Sequence, residues 1–92
     1  TLVSRLRSKP LADPEPTSRR DYFVARYART RAGFTRQVEA AQQAGTARAD
    51  LPAEQLATLI VATMDGLQVQ WLLDPTIDMT AHLETLIQLL EP

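Results

Sequence analysis

Cysteine is absent from the 92 residues, and His82 is the single histidine. A disulfide framework, a thiolate metal site and a cysteine nucleophile are therefore excluded within this sequence. One histidine with scattered carboxylates is a poor metal site, and the groups near His82 (Asp78, Thr80, Glu84, Thr85) have no spacing that assembles a nucleophile, a base and an orienting acid. We predict that the protein is not an enzyme and that it holds no metal and no cofactor.

Basic residues are absent beyond Arg48. Residues 1–48 contain all ten basic residues and four acids, a net charge of +6, whereas residues 49–92 contain seven acids and no base, a net charge of −7. A basic half favours nucleic-acid binding, but at helical spacing these arginines scatter around the axis instead of forming one stripe. We therefore predict a solvated basic surface that pairs partly with the acidic half.

Long apolar runs without charge are also absent. No stretch of 18 or more residues is apolar throughout and uncharged, and no basic segment leads into an apolar one at the start. This pattern predicts neither a membrane span nor a signal peptide, and we expect a cytoplasmic protein. The opening "TLVSRLRSK" has the pattern of the last turns of a helix, so we interpret the sequence as a piece of a longer protein.

Prolines, a glycine and helix-capping residues divide the chain into helical segments. The three prolines of "KPLADPEPTS" predict a loop. Ser18 followed by Asp21 matches a capping box, and Gly45 suits the left-handed residue after a helix end, so one helix of about 27 residues and roughly 40 Å lies between them. A second helix begins near Pro52 and ends at Leu73, and Asp78 is expected to cap a third. No strand pattern is present, and the predicted class is all-α.

The long helix and the last helix each have one apolar face. On the long helix the apolar face has spacings of four and three: Phe23, Tyr27, Thr30, Phe34, Val38 and Ala41. On the last helix it consists of Met79, Leu83, Leu86, Ile87 and Leu90, with Leu89 beside it. Each of these helices is therefore expected to bury one side.

The middle helix is apolar on two sides, unlike an ordinary surface helix. One broad sector, expected to face the core, holds Leu56, Leu59, Ile60, Thr63, Met64, Leu67 and Trp71. The far side holds Val61, Val69, Leu72 and Leu73 around Asp65. Three helices and a stub cannot cover both sides, so we predict a homodimer in which the last two helices of each chain form a four-helix bundle, with close approach at Gly66. The residues expected to face the partner are Val61, Val69, Leu72, His82, Leu86 and Leu89.

Asp65 is the one charge within the apolar part of the middle helix. A carboxylate there costs free energy unless it is paired or reaches water. We expect it to accept hydrogen bonds from an arginine of the long helix or to lie at the edge of the bundle. Contact with a ligand is the alternative role.

A family resemblance extends over residues 18–90. The segment "EAAQQAGTARADLPAEQLATLIVATMDGLQVQWLLDPTIDMTAHLETLIQLL" resembles the C-terminal region of the TetR family of bacterial transcriptional repressors, and "YFVARYARTRAGF" fits the helix that precedes that region. The resemblance implies one helical domain over residues 1–92 for effector binding and dimerisation, joined to an N-terminal helix-turn-helix that binds operator DNA. These 92 residues contain no counterpart of that helix-turn-helix, so any contact with DNA is expected only through it.

Within this interpretation the effector is a small, largely apolar molecule that releases the repressor from DNA. Aromatic and sulfur-containing side chains with few polar groups are typical of small-molecule pockets. The predicted ligand-binding residues are Phe23, Tyr27, Phe34, Met64, Gln68 and Trp71. Each could instead be an ordinary core residue. The alternative function is a stand-alone helical module that binds another protein through the same apolar surface.

Overall fold

The computed structural model describes residues 18–92, which form three α-helices. These are α1 (Ser18–Gln43), α2 (Ala53–Leu73) and α3 (Met79–Leu90), and within the described residues there is no strand. The all-α prediction is confirmed. The predicted proline-rich loop before Ser18 and the predicted helix end over "TLVSRLRSK" lie outside the described residues.

Local sequence signals set the ends of the helices. Gly45 follows α1 with φ of 78°, the left-handed conformation predicted for it, and the amide of Thr46 donates to the carbonyl oxygen of Ala41 at 2.9 Å. Pro52 is the N-cap of α2, so that helix begins one residue after the proline. The Asp78 carboxylate accepts a hydrogen bond from the amide of Ala81 at 3.0 Å and caps α3 as predicted.

Helices α1 and α2 form an antiparallel pair, and their connection is held by hydrogen bonds. The side-chain amide of Gln42 donates to the carbonyl oxygens of Arg48 at 3.1 Å and Leu51 at 3.0 Å. The amide of Arg48 donates to the carbonyl oxygen of Leu90 at 2.7 Å, which joins this connection to the end of α3. The loop therefore stabilises the pairing of α1 with α2 and holds the C-terminal end of α3 beside the α1–α2 connection.

The core lies where the second half of α1 meets the first half of α2. Val38, Leu56 and Ile60 form a buried cluster, against which Phe34 and Leu90 pack. Other buried side chains continue along α2: Ala57, Val61 and Leu67. Since α2 has its more extensive contact with α1 and a smaller one with α3, α2 is the central helix and the other two flank it.

The exposure of two residues of α2 differs from what the helical pattern suggests. Val61, expected to face a second subunit, is only 7% exposed and lies beside Tyr27 of α1. Leu59, expected in the core, is 61% exposed. The physical reason is that α1 covers the side of α2 that carries Ala57 and Val61, so the broad apolar sector is only partly covered within one chain.

The length and apolar composition of α2, with a mean hydropathy of 1.3 over its most apolar window, are also sufficient for a membrane span. The share of that window buried within the chain is 28%, and α2 packs along α1 and contributes five buried residues. Asp65 lies in the middle of α2 and hydrogen bonds to Tyr27 of α1. These contacts are those of the central helix of a bundle.

Candidate functional site

Three neighbouring clefts, all open to solvent, lie along α2. We name them the apolar groove, the tryptophan cleft and the tyrosine cleft. Met64 and Leu83 line both the apolar groove and the tryptophan cleft, whereas Asp65 and Gln68 line both the tryptophan and the tyrosine clefts. The clefts therefore form one continuous stretch of surface.

The apolar groove runs between α1 and α3 and has α2 as its floor. Its volume is about 480 Å³. The apolar side chains that line it are Phe34, Val38, Ala41, Ala47, Leu56, Ile60, Met64, Leu83, Leu86, Ile87 and Leu90. Gln37, Thr46 and Glu91 are its polar members. Because α1 and α3 are separated there, the groove exposes apolar surface such as Ile87, which is 60% exposed.

The tryptophan cleft lies between the second half of α2 and the start of α3. Its volume is about 300 Å³, and Asp65 and Gln68 are its polar lining residues. The remaining lining residues are apolar: Met64, Leu67, Trp71, Met79 and Leu83. A mainly apolar wall with two polar groups at one side is an arrangement suited to holding and orienting a small molecule.

The tyrosine cleft lies between the first half of α1 and the second half of α2 and has a volume of about 260 Å³. Its central feature is a hydrogen bond of 2.6 Å from the Tyr27 hydroxyl to Oδ2 of Asp65. This hydrogen bond and the negative charge of Asp65 raise the pKa of Tyr27 above its usual 10.0, with a smaller contribution from desolvation, and nearby Arg26 opposes the shift. Of the two arrangements expected for Asp65, the arginine partner is replaced by a tyrosine of the long helix, and Asp65 is exposed, as a position at the edge of the bundle requires.

The predicted ligand-binding residues divide among the three clefts. Phe34 lies in the apolar groove, Trp71 in the tryptophan cleft, and Phe23 and Tyr27 in the tyrosine cleft. Met64 and Gln68 lie at the junctions described above. The structure therefore brings the six residues to one side of α2 without enclosing them in a single cavity.

The set of predicted ligand-binding residues omitted the contribution of α3. Met79, Leu83 and Ile87 line the clefts, and all three belong to the apolar stripe that is visible in the sequence. That stripe shows that a helix buries one side, but it does not show which residues border a cleft. The sequence also singles out Asp65, because it is the one charge in the apolar part of the middle helix. Its position between two clefts is visible only in the structure.

The residues predicted to face a second subunit lie mainly on exposed surface. Val69 is 56% exposed, Leu72 66% and Leu89 65%; His82 is also exposed, and Leu86 is half-buried. The His82 ring places Nδ1 at 2.7 Å from the carbonyl oxygen of Asp78. A further cleft lies between α2 and α3, across their contact from the apolar groove. Its lining includes Leu59, Thr63, Leu86 and Leu89.

Charged groups contribute little to these clefts. The one ion pair among residues 18–92 joins Arg48 of the basic half to Asp50 of the acidic half at 2.7 Å, in the α1–α2 connection, and within the described region no arginine of α1 takes part in such a pair. In the same part of the chain, no group of three histidine, aspartate or glutamate side chains could hold a metal ion.

The family model for the C-terminal domain of BetI-type transcriptional repressors matches residues 14–91. No curated protein and no solved structure matches the chain significantly. The matched region contains all three helices and confirms the resemblance to the C-terminal domains of TetR-family regulators. The chain therefore belongs to the family of BetI-type transcriptional repressor C-terminal domains.

Proposed function

We propose that this chain is the effector-sensing and dimerisation domain of a bacterial transcriptional repressor. The observation that carries the proposal is the set of connected clefts along α2, which lies next to exposed apolar surface on α2 and α3. One side of α2 can thus bind a small molecule while the other contacts a second subunit. A regulator of transcription of this kind acts in the cytoplasm.

The proposed effector is small and largely apolar. The apolar groove and the tryptophan cleft are walled by leucine, isoleucine, methionine and aromatic side chains, with few polar groups. Removing such surface from water stabilises a complex by roughly 25 cal/mol for each Å² of apolar area. We place the effector against Phe34, Met64, Gln68 and Trp71, with Phe23 and Tyr27 at its far end.

The proposed dimer uses the outer surface of α2 and α3. Leu59, Leu72 and Leu89 are each more than 60% exposed, and Leu59 and Leu89 line the same cleft. Exposed apolar side chains that lie together are typical of an interface. Two helices from each subunit would form a four-helix bundle, with Val69, His82 and Leu86 also in contact with the partner. Val61 is left out of this interface because it is buried within one subunit.

Binding to operator DNA is assigned to an N-terminal helix-turn-helix outside these 92 residues. An effector releases a repressor only if it binds the non-operator conformation more tightly, because equal affinity for both conformations shifts no population. Helix α1 borders the tyrosine cleft and the apolar groove, and it packs on α2. A change in the position of α1 could therefore alter the spacing of two DNA-binding domains.

The experiment begins with a thermal-shift screen of apolar compounds on the intact protein. Compounds that raise its melting temperature are then tested on Phe34→Ala and Tyr27→Ala, with effector affinity and operator release measured separately. Val24→Ala is the control on the same helix, since Val24 is 55% exposed and lines none of the three clefts. If folded Phe34→Ala and Tyr27→Ala respond to the effector as the parent does, the proposed site is wrong.

A further inference from the structure

We infer that the effector carries a hydrogen-bond donor, such as a hydroxyl group, that binds the Asp65 carboxylate while its apolar body lies in the tryptophan cleft. This inference rests on the proposed effector-sensing function and adds the chemistry of the polar end of the ligand. It also assigns Asp65 as a specificity-determining residue.

The position of Asp65 is the first observation. Asp65 lines both the tryptophan cleft and the tyrosine cleft, at the point where they meet. In the tryptophan cleft the other polar side chain is Gln68, and the walls are apolar. A molecule whose body fills this cleft therefore has its polar end beside Asp65. An ionised carboxylate only accepts hydrogen bonds, so it favours a donor and disfavours an anion.

The second observation is the hydrogen bond of the Tyr27 hydroxyl, because it shows that a hydroxyl donor fits beside the Asp65 carboxylate. The hydroxyl, carried on an aromatic ring, donates to Oδ2 of Asp65 at 2.6 Å. It uses one of about four acceptor positions on a carboxylate. Asp65 is exposed, so a second donor can approach it from the tryptophan cleft. A ligand hydroxyl can therefore share the carboxylate with Tyr27 or replace it.

Competition for Asp65 would also connect binding to a movement of α1. Tyr27 belongs to α1 and Asp65 to α2, so their hydrogen bond joins the two helices beyond the buried cluster of Val38, Leu56 and Ile60. A ligand donor that displaces Tyr27 removes this connection. The first half of α1, where Tyr22, Phe23 and Val24 are each about half exposed, then has less to hold it against α2.

The test measures how three probes, each of eight carbon atoms in total, bind to the 92-residue chain. Octan-1-ol donates a hydrogen bond, its isomer 1-methoxyheptane has an oxygen but no donor, and octanoate is an anion. Trp71, the single tryptophan, lines the cleft, so its fluorescence reports binding. We expect octan-1-ol to bind about fivefold more tightly than the ether, the equivalent of one net hydrogen bond, and octanoate to bind most weakly.

Two variants connect this preference to Asp65. Asp65→Leu keeps the size of the side chain and removes the acceptor, so the alcohol and the ether should then bind equally. Tyr27→Phe removes only the competing hydroxyl, so the affinity for octan-1-ol should rise. Glu84→Leu makes a similar change on α3 at a residue that lines none of the clefts, and it should preserve the parent's preference. Circular dichroism checks that each variant remains helical.

The outcomes separate this inference from the proposed function. If the alcohol and the ether bind the parent equally, or if the preference survives in Asp65→Leu, the inference is wrong while the apolar effector site stands. Lower affinity for octan-1-ol in Tyr27→Phe would assign recognition to the tyrosine and would also overturn it. If none of the probes binds, the tryptophan cleft is not an apolar effector site and both proposals fail there. Should Asp65→Leu lose its helical structure, the parent and Tyr27→Phe still decide the matter.

Discussion

The buried cluster predicts that two adjacent residues of α2 respond very differently to the same truncation. Ile60 is 8% exposed and packs with Val38 and Leu56, whereas Leu59 is 61% exposed. Replacing each by alanine removes three carbon atoms. We expect Ile60→Ala to destabilise the chain strongly and Leu59→Ala to have little effect on the monomer.

The magnitude follows from burial. Three buried carbons contribute about 2.4 kcal/mol at roughly 0.8 kcal/mol each. Ile→Ala substitutions in protein cores cost about 2–5 kcal/mol once the cavity is included. Ile60 borders the open apolar groove, where neighbouring side chains can relax, so we expect about 2–3 kcal/mol. A chain of this length has a total stability on the order of 5–14 kcal/mol, so the loss is a substantial fraction of it. Leu59→Ala should cost about 0.5 kcal/mol or less, as for other surface substitutions.

Urea unfolding, followed by circular dichroism and by Trp71 fluorescence, measures both free energies. The titrations are repeated at several protein concentrations, because a residue buried only between subunits contributes more as the dimer becomes populated. The cost of Leu59→Ala should then rise with concentration, while the cost of Ile60→Ala is already large at the lowest. Equal costs at the lowest concentration would refute the assignment of the buried side of α2.

Other predictions concern the interface, the glycines, the pH dependence and DNA. Leu86→Glu would bury an unpaired charge between subunits, so sedimentation equilibrium should show a shift from dimer to monomer. Gly45→Ala should lower the free energy of unfolding by about 1 kcal/mol because φ is 78° there. Gly66→Ala should raise it by about 0.5–1 kcal/mol in the monomer, where a Cβ atom meets no neighbour within 4 Å, but should weaken the dimer if helices approach closely at this residue. The raised pKa of Tyr27 means that its hydrogen bond to Asp65 stabilises the fold below pH 10.0 and that this contribution is lost as the pH rises through the raised value. Asp65→Asn should therefore move the ultraviolet phenolate transition to lower pH. In salt titrations by fluorescence anisotropy, any binding of the 92 residues to duplex DNA should be unselective and should disappear as salt rises; selective retention of an operator would contradict the assignment of DNA binding to another domain.

Local signals in the sequence are enough to predict the three helices, the C-terminal end of α1, both ends of α2 and the start of α3. Gly45 is left-handed after α1, and Asp78 caps α3, as expected from residue types alone. These signals suffice because capping and left-handed backbone conformations depend on a few adjacent residues. The order of the helical segments along the chain also carries the family resemblance. The amino-acid sequence by itself therefore determines that this protein is an all-α domain.

Which residues of α2 are buried was decided only by the tertiary structure. The sequence places apolar side chains on both sides of this helix, so its pattern cannot show that α1 covers Val61 and leaves Leu59 exposed. The partner of Asp65 is likewise a residue 38 positions away, on another helix. Such pairs depend on how α1 and α3 are placed against α2. That placement follows from packing between distant segments, because helical periodicity states which residues share a side and not which neighbouring helix covers it.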